Sequence, residues 1–88
     1  MPSDLSEHIN IGKDTEKKLI RVGIDSFKKL ESIGSEKAFL KLQTVDPGAC
    51  LSLLCALEGS IGGIRWHDLS AEKKQELKAF HNMVKKKI

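Results

Sequence analysis

The sequence predicts an all-α domain, a compact bundle of about five helices around a central buried helix over residues 47–59. Three observations carry this. Apolar residues recur at three-to-four spacing in successive segments, Ser or Asp precedes these segments while Gly follows them, and no stretch keeps the period-two alternation of a half-buried strand. With 88 residues, 40% hydrophobic, 31% charged and 5% aromatic, the composition is that of a soluble globular chain with room for one core. Residues 1–88 read as one domain, its core spanning about 5–84.

The first helix runs from about 14 to 22. Asp14 and Glu16 lie in its first turn, Leu19, Ile20 and Val22 are its apolar positions, and Gly23 stands where a left-handed cap is wanted. Ser26 caps a short second helix with Phe27 and Leu30 three apart, ended by Gly34. Ser35 caps a third, in which Ala38, Phe39, Leu42 and Val45 share one buried face. Asp46-Pro47 reads as an N-cap followed by proline at the first helical position of the central helix. From Ala49 to Leu57 that helix is apolar around nearly its whole circumference, so the others should enclose it. Gly59, Gly62 and Gly63 break the pattern into a loop carrying Ile64 and the sole tryptophan, Trp66. Ser70 caps the last helix, whose Leu77, Phe80, Val84 and Ile88 form a stripe between charged residues. Leu51, Leu54, Leu57, Phe39, Phe80 and Trp66 are expected in the core.

Several function classes are disfavoured. The longest uncharged stretch, Pro47 to Leu57, is eleven residues, against the ~20 that span a bilayer. The N-terminus has neither the basic start nor the apolar run of a secretory signal, so the chain is expected in the cytoplasm and off the membrane. Cys50 and Cys55 are then free, reduced and buried, since five positions along one helix set their Cα atoms about 8.7 Å apart, beyond the ~7 Å disulfide limit. His8, His67 and His81 form no CxxC or HxxxH pattern with each other or the cysteines, so no metal, no cofactor and no Cys–His nucleophile is expected. An enzyme is not expected. Fifteen basic and twelve acidic residues give a net charge of +3, a balance that permits contact with nucleic acid without demanding it. Lys85-Lys86-Lys87 reads as solvated end charge.

One local pattern has a functional counterpart. Ile9-Asn10-Ile11-Gly12-Lys13 resembles the turn of a helix-hairpin-helix, in which backbone N–H groups at a helix N-terminus hold a DNA phosphate. Gly12 matches the second glycine of that turn. Asn10 replaces the first, and asparagine tolerates the left-handed conformation better than other non-glycine residues. Lys13, with Lys17 and Lys18 nearby, would supply the charge. Asp14 and Glu16 would compete with a phosphate for the helix dipole, and only residues 3–9 remain for a preceding helix. A structural turn is therefore expected, with weak, sequence-nonspecific DNA binding through Gly12, Lys13, Lys17 and Lys18 as the alternative. Arg65, beside Trp66, is the candidate for a partner surface.

The wider pattern is similar to the C-terminal domain of the TfoX/Sxy family of competence regulators. It comprises Asn10-Ile11-Gly12-Lys13, Val22-Gly23-Ile24, Ile33-Gly34-Ser35, Leu54 to Ser60, and Gly63-Ile64-Arg65-Trp66-His67-Asp68-Leu69. The most specific part is Ala56-Leu57-Glu58-Gly59 followed by Trp66 and Leu69, because apolar periodicity alone does not dictate those residues. The resemblance covers about residues 5–82. It implies a small all-α fold related to helix-hairpin-helix and SAM-like domains, in bacterial proteins linked to expression of DNA-uptake genes, and it carries no catalytic residues. Family members typically have a further N-terminal domain, so the chain is expected to be a stand-alone version of the domain or an excised piece. The expected role is regulation through protein contacts, with the transcription machinery or a second copy of the chain as partner.

Overall fold

A computed structural model describes residues 4–86, with side chains to Val84. It contains four α-helices, α1 (Lys13–Arg21), α2 (Phe27–Gln43), α3 (Leu51–Gly62) and α4 (Ala71–Lys86), and single 3-10 turns at Leu5–Glu7 and Trp66–Asp68. Among the described residues there is no strand, and no helix is long and apolar enough to cross a membrane. The Cα radius of gyration is 12.1 Å, matching the ~12 Å of a compact chain this long. Ile88 and Lys87 lie outside the described residues, as do the side chains of Lys85 and Lys86.

Local signals set most helix ends. Ser26 Oγ accepts from the Lys29 N–H at 3.2 Å, and Ser70 Oγ accepts from the Lys73 N–H at 3.1 Å, so both serines cap as expected. Gly23, with φ of 88°, closes α1. There the Gly23 N–H donates to Ile20 and the Ile24 N–H to Leu19, the paired closure of a Schellman motif.

Two features correct the expected layout of five helices. The second and third expected helices follow one another directly as α2, two helical segments that meet at a kink at Gly34, whose φ of 85° and ψ of 164° leave the helical region where the sequence placed the break. Ser35 is 4% exposed, and its hydroxyl donates to the Glu58 carboxylate at 2.7 Å, tying the kink to α3. The central helix is the other correction, since it spans Leu51–Gly62 rather than 47–59. Asp46-Pro47-Gly48-Ala49 is a tight turn closed by the Ala49 N–H on the Asp46 carbonyl at 2.9 Å. Asp46 does not cap the helix, whose N-cap is Cys50, and its carboxylate instead takes the Lys18 ammonium at 2.9 Å. At the other end Gly59 and Gly62 stay helical, and only Gly63, with φ of 73°, ends the helix.

The core is built where these elements meet. Leu5, Leu19, Leu30, Ala38, Phe39, Leu42, Leu54 and Leu57 are fully enclosed, and Leu77 brings α4 onto them. α3 packs against α2, α4 and the Trp66–Asp68 turn. Leu51, Phe80 and Trp66 sit half-buried at the core's edge rather than inside it. Cys55 is buried, but Cys50 is exposed, contrary to expectation, because it stands at the N-cap of α3 rather than within the helix. The first arm of the predicted hairpin is only the turn Leu5–Glu7, not an α-helix.

Candidate functional site

The N-terminal turn that leads into α1 is held by side chains that reach across the fold. Asn10 adopts a φ of 71°, so it takes the left-handed position that the sequence pattern assigned to it. Its amide donates to the Ile64 carbonyl at 2.9 Å and lies 3.4 Å from that of Ala56, while its carbonyl accepts from the Trp66 N–H at 3.4 Å. Gly59 leaves the room this needs. A Cβ there would lie 2.7 Å from Asn10 Nδ2 and 2.8 Å from the Ile64 carbonyl oxygen. Asn10, Gly59, Ile64 and Trp66 are thus one structural joint, which accounts for the spacing that sequence periodicity left unexplained.

The charged residues of the hairpin divide sharply. Glu16 accepts the Ser6 N–H at 3.0 Å and anchors the Leu5–Glu7 turn. Lys18 bridges Asp46 at 2.9 Å and Asp14 at 3.2 Å. Those hydrogen bonds, to Asp46 first and Asp14 second, push its pKa above the ordinary lysine value. Lys18 is therefore a structural clamp between α1 and the turn before α3. Lys13 and Lys17 are exposed, one turn apart on α1, and neither has a hydrogen bond or ion pair with another described side chain. Gly12, the N-cap of α1, has an extended backbone and open space around its Cβ position. The structure thus brings Gly12, Lys13 and Lys17 together on one exposed corner and withdraws Lys18 from it.

A second site was not marked by any sequence motif. Between α3 and α4 lies a cavity of about 230 Å³ lined by Leu51, Ser52, Cys55, Trp66, Lys74, Gln75 and Lys78. Leu51 and Cys55 are one turn apart on α3, and Lys74 and Lys78 are one turn apart on α4, so each helix presents one continuous row. Trp66 also lines it, its ring stacked on His67 with centroids 3.9 Å apart. Lys74 Nζ donates to the His67 carbonyl at 2.9 Å, which fixes the ammonium at the rim. Burial pushes the Cys55 thiol pKa up, opposed by the charge of Lys74. The thiol remains protonated at neutral pH and behaves as part of an apolar wall. The i, i+4 spacing of Lys74 and Lys78 was the available sequence signal, but nothing in the chain said which helix would face them. Arg65 is exposed beside this groove and is not part of its lining.

The histidines are dispersed. His8 stacks on Phe27 at 3.5 Å, His67 on Trp66, and His81 lies tilted against Phe39 at 5.7 Å. Among the described residues no group of three or more His, Cys, Asp or Glu side chains is placed to hold a metal.

Comparison with known proteins places the chain. A crystal structure of an uncharacterized protein from Listeria monocytogenes, in a triclinic form, is 48% identical, has a TM-score of 0.90 and matches over 92% of each chain. A tetragonal form of a protein of unknown function from the same organism is 49% identical, with a TM-score of 0.87 over 90% of this chain and 98% of that one. No curated protein matches. The family model of the TfoX C-terminal domain matches residues 1–81, which include both the hairpin joint and the groove. The chain belongs to the TfoX C-terminal domain family.

Proposed function

We propose that the domain is a non-enzymatic regulatory module that acts in the cytoplasm through protein contacts, in transcription control of the competence type. Family membership supports the regulatory part. The observation that carries the protein-contact part is the open groove lined by Trp66, because tryptophan at an apolar recess is a favoured anchor of interaction hot spots.

A second reading rests on Lys13 and Lys17, whose free ammonium groups lie beside the open N-terminus of α1. Two lysines neutralise few phosphates, so DNA affinity there should not exceed the nonspecific range of ~10⁻⁴ to 10⁻⁶ M at physiological salt. Capture from bacterial cytoplasm with the tagged chain, with and without nuclease, separates the two. The expected result is a protein partner retained after nuclease treatment and retained by Lys13→Glu. Material that is lost on nuclease treatment and lost with Lys13→Glu would put DNA binding first.

A further inference from the structure

We propose that the groove between α3 and α4 docks an acidic segment of a partner protein, one bulky apolar side chain entering between Leu51, Cys55 and Trp66 while flanking carboxylates meet Lys74 and Lys78. This rests on the protein-contact reading above and names the partner's chemistry. Size argues first. The cavity holds about 230 Å³, below the ~300–1,000 Å³ of pockets that enclose small-molecule ligands. It suits one anchoring side chain of a larger body.

Charge argues second. Among the described residues no carboxylate lines the groove, and its two cations stand about 6 Å apart along α4. The acid between them in sequence, Glu76, faces elsewhere: it lies 3.4 Å from Lys73 and lines a separate cleft with Glu36, Glu58 and Lys37. α4 therefore sorts its charges, presenting an unneutralised basic row to the groove and a mixed one to the opposite cleft. Lys74 spends one of its three protons on the His67 carbonyl and keeps two for a ligand. An apolar anchor with acidic flanks is the complement of this surface, and the carboxylates fix which segments enter.

The test uses a fluorescein-labelled synthetic peptide in which one leucine is flanked by aspartates, read by anisotropy and by the emission of Trp66, the sole tryptophan. The expected result is binding that falls with salt, weakens about tenfold with Lys78→Glu, and returns to that variant when lysines flank the leucine instead. Ser52→Phe, at an exposed rim position, should fill the groove and abolish binding, with circular dichroism showing that both variants keep the fold. Absence of binding, equal binding of an asparagine-flanked peptide, or displacement by phenylacetate at comparable concentration would overturn the proposal. So would a nuclease-resistant partner captured equally by the full chain and its Ser52→Phe variant, which would leave the protein-contact reading standing without this groove. Peptide binding in the absence of any captured protein would sustain the groove and sink the regulatory reading instead.

Discussion

Helices α1 and α3 end in the same way, yet the residues just beyond them have opposite fates. At α1 the Gly23 and Ile24 N–H groups donate to Ile20 and Leu19; at α3 the Gly63 and Ile64 N–H groups donate to Ser60 and Gly59. Both glycines take positive φ, 88° and 73°. Ile24 is then 2% exposed and closes the core, as the residue after such a closure commonly does, whereas Ile64 is 40% exposed. The partner position explains the difference. Leu19 offers Ile24 a buried apolar neighbour within the closure, while Gly59 has no side chain and is occupied by the Asn10 amide. A backbone motif fixes a change of direction; what stands at its far end decides whether the next residue is buried.

Substitutions at the two isoleucines give the widest separation. Ile24→Ala should cost about 2–5 kcal/mol, and Ile64→Ala should stay within about 0.5 kcal/mol, both read by urea denaturation. Equal losses would show that Ile64 is enclosed in solution. Within α3, Gly59→Ala should destabilise by about 1–3 kcal/mol through its clash with Asn10 and the Ile64 carbonyl. Gly62→Ala meets nothing closer than 4.0 Å and should stabilise by about 0.4–1 kcal/mol by restricting the unfolded chain. A neutral Gly59→Ala in thermal melts would dissolve the joint described for Asn10. The smallest contrast is the one expected to vanish: Gly23→Ala and Gly63→Ala should each cost about 1–2 kcal/mol, because the strained conformation is the same at both ends. A loss at one end only would mean that tertiary contacts, not the closure, hold that glycine.

Where the sequence was legible, the relevant atoms lay within a few residues of one another. Ser26, Ser70 and Gly23 were readable because a cap or closure joins groups within one or two turns. Asp46 was misread for the complementary reason. Its carboxylate had a local use at the start of α3 and a distant one at Lys18, 28 positions away, and the distant one won. The candidate sites divide likewise. Gly12, Lys13 and Lys17 were placed together by their spacing on α1, whereas Lys18 was removed from the set by the same long-range pair. Of the groove the chain showed only the i, i+4 spacing of Lys74 and Lys78, since its two rows come from different helices, α3 and α4, and only their packing brings the rows together.

By itself the sequence determined an all-α chain, the capped starts of α2 and α4, the left-handed end of α1, and Phe39, Leu54 and Leu57 as core. These follow from periodicity and from hydrogen bonds inside single elements, which any tertiary arrangement must respect. Only the tertiary structure decided that Ser35 ties the Gly34 kink to Glu58 of α3, that Cys50 faces solvent, that Trp66 edges a groove rather than filling the core, and that Asn10 locks onto Gly59. Each of those outcomes depends on which partner lies within reach, and the packing of distant helices determines that.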